Sequence, residues 1–306
     1  MTDSFVHLSV HTDYSLIDGV ARVSTLTNAL GDRGMAACAI TDQTNFYALI
    51  KFYKAAQAKG IKPICGSDFS VITDSETPPT RLTLLAMSEA GYRNITQLIS
   101  RAYQEGQHLG VATVKREWVS EHAEGVIALS GAKFGDVGMS LVAGRQDDAE
   151  ALLQGWMKDF PNRYYLELHR TNRENDEEHV HAAVALAAKM ECPVVATNDV
   201  RFIDKEDFEV HEARVCITEG RTLDDPRRER RYSEQQFLRT PAEMAELFSD
   251  VPEAITNSVE IAKRCSLEIM LGKNFLPAFP IPEGMTEAQF FEKISYDGLN
   301  KRLEKN

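Results

Sequence analysis

Cysteine is sparse in this 306-residue chain, and its pattern excludes two chemistries. The five residues, Cys38, Cys65, Cys192, Cys216 and Cys265, are odd in number and widely spaced, with no C-x-x-C pair. That rules against a disulfide framework and a thiolate metal knuckle, and they read as small core residues. No apolar run is long enough to span a membrane. The opening MTDSFVHLSVHTD lacks the basic-then-apolar order of a secretion signal, so cytoplasmic residence is the expectation. Positive charge is also short, with 34 Lys and Arg against 46 Asp and Glu, a net charge of −12. A domain that grips a phosphate backbone is normally basic, so DNA binding is not the expected main task. There is no G-x-G-x-x-G after the first strand pattern, no P-loop, and no defensible Ser-His-Asp or Cys-His set.

What the chain does have is alternation of short apolar strands with amphipathic helices. Strand patterns are MAACAIT, IKPIC, DFSVIT, RLTLLAM, GVIALSG, YYLELH and PVVAT. Helical stripes run through Val23–Leu26–Leu30, Leu49–Ile50–Tyr53–Ala56, Tyr92–Ile95–Leu98–Ile99–Ala102, residues 147–160 and residues 175–190. Such alternation predicts an α/β fold with a mainly parallel sheet covered by helices, either open or closed into a barrel. After Phe202 the pattern turns to helix and loop. Thr240-Pro241-Ala242-Glu243 is a capping box, residues 251–265 are helical, LPAFPIPEG is a proline-rich linker, and a last helix runs from Thr286 through Leu303. The expected division is 1–270 for the barrel and its helical extension, and 271–306 for a linker and the start of a further region.

The stretch HLSVHTDYSLIDG, residues 7–19, organises the rest. Period-2 alternation puts Phe5, His7, Ser9 and His11 on one face of a first strand, with Val6, Leu8 and Val10 on the other and Asp18 in the loop that follows. Two imidazoles on one strand face are how strand-borne metal clusters are built.

With ITDQTN, GIKPICGSDF, LTLLAMSEAGYRN, ATNDVRF, TLDDPRRERRYS, ITNSVEIAKRC and NFLPAFP, this stretch resembles the PHP (polymerase-and-histidinol-phosphatase) family. The resemblance is to the form found at the N-terminus of bacterial replicative DNA polymerase III alpha subunits, and it runs from Phe5 to the end. It implies a distorted seven-stranded (β/α) barrel of the PHP type followed by a mostly helical extension. It also implies a pocket where the family holds three divalent metals on nine side chains. Position by position, the chain offers Ser9, His11 and Asp18 for His, His and Asp. Gln43 and Arg81 stand for His, Asp68 for Glu, Ala132 for Cys, and Asp199 with Arg201 for Asp and His.

His11, Asp18, Asp68 and Asp199 thus keep ligand chemistry, while imidazole and thiolate are lost. A guanidinium has no free lone pair and stays cationic, so Arg81 and Arg201 cannot be ligands. At ~4 Å from a divalent ion each would cost several kcal/mol. The expectation is that they replace metal as counter-ions of Asp18, Asp68 and Asp199 through bidentate pairs, and that no metal or catalytic residue belongs to this chain. Two readings stay open beside it: an anion such as phosphate held by His11, Arg81 and Arg201, and a working metal-dependent phosphoesterase or 3′–5′ exonuclease.

The resemblance further implies that the whole protein is a DNA-directed DNA polymerase acting on primer-template DNA with Mg²⁺ at a site outside this chain. Where the PHP pocket is eroded, a separate epsilon proofreading exonuclease docks on the domain. Other polar residues read as structural. His179 and His181 diverge on a helix and are expected on a solvated face. His169 borders the pocket near Glu167, and His211 joins a surface network with Asp207 and Arg214. Asp224-Asp225-Pro226 reads as a polar turn. The run Arg227, Arg228, Arg230, Arg231 reads as a solvated loop or a contact with an acidic neighbour.

Overall fold

The computed structural model describes residues 4–73, 77–108, 110–274 and 276–304. Phe275 of the NFLPAFP stretch and the last two residues lie outside the described set. Among the described residues there are eight strands: β1 Ala37–Ile40, β2 Lys62–Ile72, β3 Thr80–Ala86, β4 Gln107–His108, β5 Val111–Lys115, β6 Val126–Leu129, β7 Tyr164–His169 and β8 Val194–Thr197. Helices α1 Val23–Asp32, α2 Leu49–Gln57, α3 Glu89–Gln104, α4 Arg116–Glu121, α5 Asp136–Val142, α6 Gln146–Asp159 and α7 Asp176–Met190 alternate with them. The extension holds α8 Phe208–Glu219, α9 Pro241–Leu247 and α10 Pro252–Arg264, and α11 Glu287–Leu303 follows the linker.

The sheet runs β4-β5-β2-β3-β6-β7-β8, with β1 beside the first half of β2. IKPIC and DFSVIT, expected as two strands, are one 11-residue strand, β2. Its early residues pair with β1, its late residues with β5, and its other edge with β3, so one continuous ladder serves three neighbours. β3 is antiparallel to both β2 and β6, and the β6–β7 and β7–β8 pairs are parallel.

The first strand is correspondingly less regular than its alternation predicts. Residues 5–12 pair through isolated bridges, His7 to Cys38 on one side, Val10 to Val200 on the other, and Thr12 to Ala21 at the end. Ala39 N donates to His7 O at 2.8 Å and His11 N to Val200 O at 2.9 Å. These bonds join the chain just past β8 back to β1 and close a distorted seven-membered (β/α) barrel, as expected.

Val6, Leu8, Ala39, Ile64, Leu85, Ile127 and Val195 pack inside with Ile261 of α10 and Cys265 just after it. Each of the Val, Leu and Ile side chains withdrawn from water contributes roughly 1.5–3 kcal/mol. α10 is tied to the barrel by Asn257 Nδ2, 2.8 Å from Val194 O, and by Ser258 Oγ, which accepts Val6 N at 3.1 Å. All five cysteines are free and buried. The chain divides into two compact units, Met1–Glu268 and Ile269–Asn306. The second carries α11, whose first turn is capped by Thr286 and Gln289.

Candidate functional site

At one mouth of the barrel, strand-borne and loop-borne charges converge. Asp68 sits on β2 and faces Thr83 of β3 across the ladder. Two residues before Thr83, and so on the same face, is Arg81. Asp199 and Arg201 follow β8, again two apart, and Asp199 has a left-handed φ of 45°. Ser9, His11 and Asp18 come from the first segment and its loop. Ring closure places them beside β8's end.

Arg81 Nη1 donates to Asp199 Oδ1 at 2.7 Å, while Nη2 reaches Asp68 Oδ2 and, at 3.1 Å, Ser9 Oγ. Arg201 Nη1 donates to Asp18 Oδ2 at 2.5 Å and Nη2 to Asp199 Oδ1 at 2.7 Å. The expected bidentate forks are therefore not what forms. Each guanidinium bridges two carboxylates, because the three aspartates are spread around the barrel and one plane of donors spans the gap between two of them. His11 completes the ring, with Nε2 2.7 Å from Asp68 Oδ2 and Nδ1 between Asp18 Oδ1 and Arg201.

Burial alone would push the Asp199 carboxyl up, but Arg201, Arg81 and Arg173 together hold it well below the usual carboxylate range. Asp18 and Asp68 are held low in the same way against their burial, Asp18 by Arg201 and His11, Asp68 by Arg81 and His11. His11 is pushed down by burial and by Arg201 and up by Asp18 and Asp68. The carboxylates win, keeping the imidazole above its ordinary value. Four buried carboxylates, Asp18, Asp68, Asp199 and Glu167, thus face Arg81, Arg173, Arg201 and His11.

Several members of this network lie outside the sequence-derived set. Arg173 Nη1 is 3.1 Å from Asp199 Oδ2, and Gln236 Nε2 donates to the same oxygen at 2.8 Å. Tyr232 donates its hydroxyl to Asp18 Oδ2 at 3.0 Å, and Thr83 donates to Asp68. Thr83 was legible from its i+2 spacing to Arg81; nothing local marks Arg173, Tyr232 or Gln236. Glu167 accepts from Thr197 at 2.6 Å and from Gly131 N at 3.1 Å, with His169 at 3.2 Å, so His169 does lie near Glu167. Gln43 is bridged in backbone to Asp68, and its side chain donates at 3.3 Å to Ser70, on the same face of β2 as Asp68. Ala132 is buried beside Gly131 in a short 3-10 turn, with no polar atom to offer.

Two histidines differ from expectation. His211 is buried among Phe202, Phe208 and Tyr232, and its Nε2 bonds to Asp18 O at 3.0 Å. His179 is buried too, whereas His181 is exposed. Helical spacing gives which residues share a face, not which face the barrel covers. In the basic run, Arg227 pairs with Asp225 at 3.0 Å, Arg228 with Glu212 and Arg231 with Glu219.

The donor set does not fit a divalent metal cluster. Among the described residues, no group of three or more His, Cys, Asp or Glu side chains is arranged to hold one. Cationic nitrogens occupy the space between the carboxylates instead. An anion would compete for Nη groups already bonded to aspartate. At both arginines the buried Nε has no hydrogen-bond partner.

A model of the PHP domain matches residues 7–171. The chain belongs to the PHP domain family. Ser9 through Ala132 fall within that match, whereas Asp199 and Arg201 lie beyond it. The chain is 59% identical over 305 residues to the DNA polymerase III subunit alpha of Pseudomonas aeruginosa and 50% identical over 300 residues to that of Escherichia coli K12. These alignments cover 99% and 98% of this chain but 26% of each relative, so the PHP chain spans about a quarter of their length. Among solved structures it is similar to a Bifidobacterium adolescentis protein classed as a metal-dependent phosphoesterase. That match has 12% identity and a TM-score of 0.46 and covers 64% of this chain and 87% of that one. No helix among the described residues is long and apolar enough to cross a membrane.

Proposed function

We propose that this chain is the PHP portion of a replicative DNA polymerase III alpha subunit, and that its barrel pocket is structural, not catalytic. In this reading the whole protein extends primer-template DNA in the cytoplasm with Mg²⁺ at a site elsewhere. The PHP portion supports that polymerase and docks a separate epsilon 3′–5′ proofreading exonuclease. One observation carries the structural reading: Arg81 and Arg201 are ion-paired to Asp18, Asp68 and Asp199 where the family would hold metal. Activation of water at such a site needs metal to lower the water's pKa, and a buried guanidinium supplies neither a coordination site nor a base.

The test has two arms. Protein purified without chelator is assayed for metal content, and for phosphomonoester and single-strand hydrolysis with added Mn²⁺ or Zn²⁺; stoichiometric metal or turnover would sink the structural reading. Separately, calorimetric titration with the cognate exonuclease subunit is expected to give a complex at micromolar concentration. Its absence would remove the docking role.

A further inference from the structure

The outer face of α8 is apolar where a soluble helix normally shows charge. Val210 and Ile217, seven apart and so on one face, are 61% and 81% exposed. Leu16 and Ile17, 59% and 47% exposed, lie against the same helix. Arg214 Nε donates to Leu16 O at 3.1 Å and Thr218 Oγ1 to Ile17 O at 3.4 Å, which holds the loop along the helix flank. Leu16 has φ 64° and ψ −41°, a backbone conformation costly for a residue with a side chain, yet that side chain faces water. Burial does not repay the strain in this chain alone.

The loop is held from behind by the ion cluster. Asp18, next after Ile17, pairs with Arg201 and His11, and its carbonyl accepts from His211 of α8. The ridge is flanked by charge of both signs, with Glu206 and Glu209 at the N-terminal end of α8 and Arg214 in its middle. At the far end, Arg221 is paired with Asp225 and Glu219 with Arg231.

We propose that Leu16, Ile17, Val210 and Ile217 form the docking ridge for a single amphipathic helix of a protein partner. The partner helix presents apolar side chains at i, i+3 or i+4, and i+7. Its acidic residues lie against Arg214 and its basic ones against Glu206 and Glu209. This inference rests on the docking role proposed above and names its surface. Four apolar side chains fall well short of the roughly 20–30 residues a side of a standard interface, which favours one helix over a second copy of this chain. The ion cluster then acts as a positioning device, fixing the loop that carries Leu16 and Ile17.

The test titrates the exonuclease subunit into the wild-type chain, Ile217→Glu and Asp18→Asn, with melting curves alongside. Ile217 is solvent-exposed, so Ile217→Glu is expected to keep the wild-type melting temperature and weaken binding about tenfold or more. Asp18→Asn is expected to weaken binding and to lower the melting temperature. Wild-type binding that Ile217→Glu leaves unchanged overturns the ridge while the docking role stands. No wild-type binding overturns both. Self-association of the chain that Ile217→Glu abolishes shows a second copy as the occupant and overturns the partner-helix assignment.

Discussion

Arg81 and Arg201 meet on one oxygen: Asp199 Oδ1 lies 2.7 Å from a guanidinium nitrogen of each. Two buried cations are tolerated this close only because carboxylates stand between and beside them, with Asp68 and Asp18 at the far ends. A buried network of this kind is weak evidence for net stability, yet removing one member leaves its partners charged and dry.

Arg201→Ala is therefore expected to destabilise the fold by about 3–5 kcal/mol, because Asp18 and Asp199 lose a shared cation. Arg201→Lys recovers part of that, since an ammonium neutralises but does not bridge two carboxylates in a plane. Urea unfolding read at one wavelength and repeated by calorimetry measures both. A loss below about 0.5 kcal/mol for Arg201→Ala would mean that the cluster is not holding the barrel mouth.

Metal addition and removal are expected to leave stability unchanged. A ligand that binds only the folded state raises the melting temperature with its concentration. A saturating rise with Mn²⁺, Zn²⁺ or Fe²⁺, or a fall on adding chelator, contradicts the counter-ion reading. Millimolar phosphate is likewise expected to produce no shift, because the Nη groups of Arg81 and Arg201 are already bonded to aspartate.

Restoring the family's ligand chemistry tests the residue assignment itself. A variant with histidine at Ser9, Gln43, Arg81 and Arg201 and cysteine at Ala132 removes both cations and adds five donors. Elemental analysis after dialysis is expected to find bound divalent metal. A variant that folds and takes up none shows that these positions do not converge as a ligand set.

Stability is expected to fall as pH drops from about 6.5 toward 4. His7, His179 and His211 are held at about 4, chiefly by burial, against an ordinary value of 6.5. Between those values the unfolded chain binds more protons than the folded one, so acid favours unfolding. Asp18, Asp68 and Asp199, held low by the arginines, extend the loss below about 4 as unfolded carboxyls protonate. His11 runs the other way, its contribution present below 6.5 and lost as pH rises through its elevated value. Melting temperatures across this range check the slope. His179→Leu removes one buried titrating group and is expected to flatten it.

Two glycines separate packing from propensity. A Cβ on Gly19 would lie 1.9 Å from Thr12 O, inside the loop that carries Asp18, so Gly19→Ala is expected to cost several kcal/mol. A Cβ on Gly31, in α1, meets nothing within 4 Å, and Gly31→Ala is expected to gain about 0.5–1 kcal/mol. Thermal melts of the two variants moving in the same direction would refute this contrast.

Much of the site was legible because strand periodicity is local. Arg81 with Thr83 and Glu167 with His169 are i+2 pairs on strands, and a strand sends such pairs to one face, whereas Asp199 and Arg201 lie past the end of β8. The helices α6 and α7 begin and end within a residue or so of their apolar stripes, since burial of one face sets both. Less legible was the union of IKPIC and DFSVIT into one strand, because Gly66 between them reads as a break. In the barrel that glycine lets β2 pass close to β3, where a Cβ would lie 2.8 Å from Leu84 O.

The sequence by itself determined the alternation of strands and helices, the family, and the presence of arginine at two positions where the resemblance implies histidine. Those are facts of residue type and spacing. Only the tertiary structure decided which carboxylates each guanidinium spans, and that Arg173, Tyr232 and Gln236 join them. Tyr232 reaches Asp18 across 214 residues of chain. Such a contact exists because the segment after β8 closes the ring onto residues 9–11, and no local pattern records that closure.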